Sequence, residues 1–399
     1  MKLTRRDIIG GAAALGGMAL GGVVAGGRAM AQAAQAVAPA SASPAPFALA
    51  PLPVPATPEA LDMARFIRVM PKAEYHVHLE GTLEAEMKFR LAQRNGITLP
   101  FADAEALKAS YQYHDLPSFL AIYYDGMQVL VTEQDFHDLA LAYLARAASQ
   151  NVLHTEMFFD PQEHLKRGVT MGTVILGITR AREEAARLYG ISSGLILCFV
   201  RDLDPHTAME ALDAALPYRQ HLVGVGLDSD EKGHPPGKFA AHFAKARAAG
   251  LRVTVHCDVD QENSLAHIRQ AIVDLKVDRI DHGGNILQSA ELVALARQRG
   301  IAFTVCPSFS GTVRAGGQDI DVVRGMLDAG LKLTIASDDP AYMGSEYLSE
   351  VLLRAQQRSR LTKADLLQIS RNAIEAAWLG EDHKTRMRAR LDIFERAWA

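Results

Sequence analysis

Eight short apolar segments punctuate the chain, at residues 73–79, 152–160, 192–200, 221–228, 251–258, 278–283, 301–307 and 331–339. Most are separated by stretches whose apolar residues recur at helical spacing, such as 171–189, 238–249, 264–275, 290–299 and 322–329. Eight alternations of this kind predict an α/β fold, a TIM (β/α)8 barrel with C-terminal helices, rather than an open sheet. The connection after the first segment is different. From 82 to 151 it carries helical patterns of its own, at 83–95, 116–131 and 133–149. The barrel is therefore predicted to have a helical insertion after strand 1, which reads either as a lid over a pocket or as packing on the rim.

Before residue 61 the alternation is absent. Arg5 and Arg6 precede a weakly apolar run rich in Gly and Ala that continues to Gly27, a pattern similar to a twin-arginine export signal. Ala29-Met30-Ala31 fits a small-x-small cleavage site. Residues 32–60 are dominated by Ala and Pro and hold seven of the 17 prolines, so they read as an extended tether that cannot bury a core. The predicted organisation is a signal peptide over 1–31, a linker over 32–60 and one barrel domain over 61–399. It carries the expectation of a periplasmic protein with no stable membrane association once the signal is removed.

Composition narrows the chemistry. The chain has 42 Lys plus Arg against 46 Asp plus Glu, with no basic block beyond the N-terminal arginines, which gives no reason to expect a nucleic-acid partner. Its three cysteines, Cys198, Cys257 and Cys306, include no Cys-x-x-Cys pair, and three cannot make a disulfide framework.

Titratable residues cluster instead at the ends of the predicted strands: His76 and His78, Asp160, Asp228, His256, His282, and Asp338 with Asp339. In a barrel of this kind all strand C-termini open onto one face, so these distant residues are expected to converge. His76 and His78, two apart on a strand, point to the same side. With His256 and Asp338 they make a set of three imidazoles and one carboxylate, which suits one Zn²⁺ with a position left for water.

At this point the chain resembles the adenosine and adenine deaminase family of metal-dependent amidohydrolases, and its adenine deaminase-like branch in particular. The resemblance is carried by 71–83 (PKAEYHVHLEGTL), by 158–162 (FFDPQ), by 226–229 (GLDS) with Glu231 and 233–236 (GHPP), by 279–283 (RIDHG), by Cys306-Pro307 and by 337–340 (SDDP). It implies that His76, His78, His256 and Asp338 hold one Zn²⁺ that makes water available as a nucleophile near neutral pH. It implies further that His282 orients that water, that Asp339 hydrogen-bonds a purine ring nitrogen, N7, and that C6 of a 6-aminopurine loses ammonia. Ser229 is placed near the N3 side. Glu80 stands where adenosine-specific members usually have Asp, which favours a free base over a nucleoside; the bland alternative leaves Glu80 in solvent at the rim.

One element of the family pattern is missing. Members usually read His-Ala-Gly-Glu at the fifth strand, where the Glu protonates N1, whereas here 256–262 reads HCDVDQE and Val259 occupies the donor's place. Three accounts follow. A neighbouring acid, Asp258, Asp260 or Glu262, supplies the proton, with Glu262 the first choice on chemical analogy. Alternatively the substrate is an N6-substituted purine or another cyclic amidine. In the third account the barrel binds metal or ligand without deaminase activity. Cys257 adjoins a predicted ligand, but strand alternation points it away, as a packed thiol.

Overall fold

A computed structural model describes residues 58–257, 263–308 and 311–398. The predicted signal peptide, most of the linker, and Asp258, Val259, Asp260 and Glu262 lie outside the described residues.

Among the described residues there are ten strands: β1 (Lys72–Glu74), β2 (Val152–Phe159), β3 (Ser192–Val200), β4 (Gly224–Asp228), β5 (Arg252–Cys257), β6 (Arg279–His282), β7 (Ala302–Val305), β8 (Thr312–Ala315), β9 (Gln318–Asp321) and β10 (Lys332–Ile335). Eight of them pair in parallel in the order β1-β2-β3-β4-β5-β6-β7-β10, the predicted barrel. Its strands are largely buried because both faces are covered, as in the SSGLILCFV run of β3, where the last seven residues are buried. The seam is closed just beyond β1 and β10. There the Asp338 N–H donates to the His76 carbonyl and the His78 N–H to the Asp338 carbonyl, both at 3.0 Å. The predicted first strand, 73–79, is thus regular only over Lys72–Glu74, because the register slips between Lys72 and Ala73 and pairing resumes as isolated bridges at Val77 and His78.

The helices, in chain order, are α1 (Pro58–Val69), α2 (Ala85–Arg94), α3 (Ala104–Ala109), α4 (Leu116–Gly126), α5 (Glu133–Ser149), α6 (Pro161–Leu165), α7 (Met171–Tyr189), α8 (Pro205–Ala215), α9 (Ala240–Ala248), α10 (Ser264–Arg269), α11 (Ala290–Arg299), α12 (Val322–Asp328), α13 (Leu348–Ser359), α14 (Lys363–Ala376) and α15 (Glu381–Trp398). α7 shows how local sequence sets the bounds. Thr170 caps it by accepting from the Thr173 N–H, a buried stripe of Val174, Ile178, Ala181 and Ala185 faces the barrel, and Gly190 ends it in the left-handed region. α1 takes in residues 58–60, which the sequence pattern assigns to the linker; a proline in the first turn costs a helix nothing, because that N–H has no intrahelical partner. The insertion after β1 supplies α2 to α5, and α13 to α15 are the predicted C-terminal helices. The antiparallel hairpin β8–β9, turning at Gly316-Gly317, was not anticipated. No helix among the described residues is long and apolar enough to cross a membrane.

Candidate active site

The strand ends bring the predicted metal residues together. One ligand atom each from His76, His78, His256 and Asp338 lies within 4.8 Å of the others, and all four residues are buried. His76 Nε2 is 3.1 Å and His78 Nε2 3.4 Å from Asp338 Oδ1, and the Nε2 atoms of His78 and His256 face each other at 3.2 Å. The other ring nitrogen of two of these imidazoles is hydrogen-bonded: His76 Nδ1 lies 2.9 Å from the Thr304 carbonyl and His256 Nδ1 3.0 Å from the Leu227 carbonyl, which fixes those rings with Nε2 inward. His78 Nδ1 is 3.6 Å from Asp228 Oδ2, close enough to feel its charge but beyond a hydrogen bond. Burial first, then neighbouring imidazoles, holds His78 down at about 4 and His256 well below its usual range, so both keep a lone pair to offer. Burial pushes Asp338 up, but His76 and His282 outweigh it and hold the carboxyl far below the usual range. Burial lowers His76, but Asp338 outweighs it and raises the ring to about 9, so a cation would take the place of that proton among three imidazoles and a carboxylate converging on one point, a donor set that fits a divalent ion.

The supports of this cluster are themselves buried and hydrogen-bonded. Asp281 accepts from Thr304 and Thr254, each at 2.7 Å, and thereby fixes the residue that anchors His76. Glu74 accepts from the N–H of Ser337 at 2.8 Å and from its hydroxyl at 2.7 Å, which sets the residue before Asp338.

His282 and Asp339 join the cluster as predicted. The His282 ring centre is 4.5 Å from that of His76, its Nε2 is 3.9 Å from Asp338 Oδ2, and burial followed by the His76 charge brings it down to about 3. Asp339 Oδ1 is buried and unpartnered among the described residues, and burial beside Asp338 raises its carboxyl well above the usual range. The chain passes so close to Asp339 at Gly81 that a Cβ there would lie 1.9 Å from Oδ1. Ser229, His282 and Asp338 all have positive φ without being glycine, strain of the kind that folds store at binding sites.

A pocket opens over these groups, lined on the barrel side by His78, Asp160, Asp228, Ser229, His256, His282, Asp338 and Asp339. From above, Leu116, Phe119, Leu120, Tyr123 and Tyr124 of α4 complete its wall, so this part of the insertion is a lid and not rim packing alone. Glu80 is buried rather than solvent-facing. Its Oε1 lies 2.7 Å from His164 Nε2 and 3.3 Å from the Asp160 N–H, while Oε2 is unpartnered among the described residues. Glu262 lies outside the described residues. Asp160 and Asp228 line the pocket among the strand-end residues expected to converge, though the sequence assigns no individual role to either. The α4 wall falls in the predicted 116–131 helical pattern and agrees with the lid reading of the insertion, whereas the particular side chains it presents, such as Phe119, Tyr123 and Tyr124, are not singled out by the sequence.

The adenosine deaminase family profile matches residues 71–393. The chain belongs to the adenosine deaminase family. It is a hydrolytic deaminase on a barrel of the metal-dependent amidohydrolase kind. Over 337 residues it is 51% identical to an uncharacterised deaminase of Schizosaccharomyces pombe, covering 84% of this chain and 99% of that protein. It is 47% identical over 334 residues to an adenine deaminase of Hahella chejuensis, covering 83% and 99%. Among solved structures it resembles the adenine deaminase of Arthrobacter aurescens with a TM-score of 0.77 and 34% identity, covering 82% and 99%. An amidohydrolase of Burkholderia ambifaria with bound zinc superposes with a TM-score of 0.74 at 30% identity, covering 84% and 94%.

Proposed function

We propose that this family member is a zinc enzyme that deaminates adenine as the free base, taking up water and releasing ammonia and hypoxanthine. The observation that carries the reading is the joint placement of the His76, His78, His256 and Asp338 donors with His282 and Asp339 in one pocket. Identity of 47% to an adenine deaminase over nearly the whole barrel supports the substrate. Zinc would be held by those four donors and would supply Lewis-acid polarisation and a lowered pKa of water.

The chain's own residues do the rest. Neutral His282 accepts a hydrogen bond from the attacking water and orients it toward C6. Asp339, with Oδ1 open to the pocket, fixes the ring at N7, and Ser229 borders the N3 side. Glu80, buried beside the pocket with Oε2 unpartnered among the described residues, is the group assigned to restrict the room a ribose would need. Protonation of N1 falls to Glu262, on the strength of its carboxyl chemistry close behind His256. The apolar face of α4 excludes bulk water from the closed pocket.

Ammonia release by the zinc-loaded protein, measured on adenine, adenosine and N6-substituted adenines, tests the assignment. Turnover of adenine is the expected result, with Glu262→Gln slowed about 10² to 10⁴-fold. Turnover confined to an N6-substituted purine would favour the second reading, which Val259 at the usual donor position supports. Silence across the panel with zinc bound would overturn both. Export through the twin-arginine route to the periplasm is part of the same proposal, resting on Arg5-Arg6 and the Ala29-Met30-Ala31 site. Its test is loss of periplasmic protein in an Arg5→Lys, Arg6→Lys double variant.

A further inference from the structure

Lys88 on α2 is buried to 2% exposure, yet its hydrogen-bond partners are two phenols rather than a carboxylate. Its Nζ donates to Tyr111 at 2.9 Å and Tyr342 at 2.7 Å and lies over both rings, 5.0 and 4.3 Å from their centres. The two rings stack at 4.9 Å. An ammonium in such a place is costly for folding unless something requires its charge. Three separate segments meet there: α2, the connection between α3 and α4 that carries Tyr111, and the short turn Pro340–Tyr342 that begins at Asp339. Tyr342 in turn packs on Phe119 at 5.9 Å and Tyr123 at 5.7 Å, two side chains of the pocket wall. The far end of α4 also comes in close, since a Cβ on Gly126 would lie 2.5 Å from both Lys88 Nζ and the Tyr342 hydroxyl.

We propose that Lys88 is a positioning residue whose ammonium ties Tyr111 to Tyr342 and so holds the α4 lid and the Asp339 turn closed over the substrate pocket. The pocket's occupant rests on the function proposed above; the tie between lid and turn does not. Burial lowers Lys88 to about 7, with Asp125 of α4 and Glu84 before α2 drawing it partly back, and Tyr111 and Tyr342 complete the groups facing it. The charged form supplies both the donors and the cation over the rings. Closure therefore weakens as pH rises through about 7. Folding stability has the opposite slope, because a lowered lysine pKa makes the folded state more stable as pH climbs from about 7 toward 10.5.

The test uses the full zinc-loaded chain with Lys88→Met and, as a milder change that keeps the ring, Tyr342→Phe. Steady-state kinetics on adenine from pH 6 to 9, thermal melting and amide exchange across 116–126 are measured. Lys88→Met is expected to raise KM about tenfold, to lose the rise of KM above pH 7, to speed exchange across α4 and to melt no earlier than wild type. Tyr342→Phe should shift KM and exchange the same way by less. If Lys88→Met melts earlier while KM, its pH dependence and α4 exchange match wild type, the lysine is packing and the proposal fails. Should adenine not be a substrate at all, exchange alone decides: faster α4 exchange upholds the tie and unchanged exchange overturns it.

Discussion

Two clusters of buried polar groups occupy opposite ends of one barrel, and they are assembled on different rules. Toward the end where the strands begin, Glu156 accepts from Arg279 at 2.6 Å, from the Trp378 N–H at 2.6 Å and lies 3.2 Å from His154 Nε2. The Arg279 guanidinium lies over the Trp378 ring at 3.8 Å and faces Tyr75 at 4.9 Å. Cation meets anion there, and the rest of the guanidinium lies against aromatic rings, which is how this core accommodates buried charge. At the other end the ring nitrogens of His76, His78 and His256 crowd each other and Asp338. Like groups converge there, and backbone carbonyls hold the His76 and His256 rings in place. The same residue types thus mark stability at one end and chemistry at the other, and what separates them is whether the partners match.

Mutations at the two ends should separate turnover from stability. The largest effect on turnover is expected from His282→Ala, a fall of about 10² to 10⁴-fold with metal content and melting temperature near wild type, measured by ammonia release and metal analysis. Gly81→Ala should follow, at about 10²-fold, since the added Cβ must displace Asp339 while the metal donors stay put. Asp228→Asn removes the carboxylate beside His78 Nδ1 and should weaken metal retention about 10 to 100-fold in a chelator titration. At the opposite end Glu156→Gln should leave kcat per folded molecule unchanged and cost about 3 to 5 kcal/mol in denaturant unfolding. Burial pushes Glu156 up, but Arg279 prevails and holds it at about 2, so its stabilisation is present above the unfolded value near 4.5 and fades as pH falls toward 2. The difference in stability between wild type and Glu156→Gln should shrink over that interval. If Glu156→Gln instead lowered kcat, the division between the two ends would not hold.

The barrel was readable because strands covered on both faces are short, mainly apolar segments recurring between helical patterns, and α7 and α11 matched their predicted bounds because their apolar residues recur at helical spacing. The metal donors were readable because each sits at a strand end, where fold geometry converts sequence distance into proximity. What escaped depended on tertiary contact. α8 carries an alanine-rich face that only the barrel defines, and α3 is a single short turn of six residues. The closeness of Glu80 to His164 joins the turn after β1 to α6, 84 residues apart. Lys88 reads in the sequence as one more solvated lysine, since nothing local announces that Tyr111 and Tyr342 will enclose it.

The seam of the barrel has a consequence for synthesis. The hydrogen bonds that join the first strand to the last are made by His76, His78 and Asp338, the residues whose side chains form the candidate metal centre. Their loop closure spans about 260 residues, among the last contacts a growing chain can make. A ribosome-bound or truncated chain lacking β10 therefore has no reaction centre to expose, and catalytic competence doubles as a check that the polypeptide is whole.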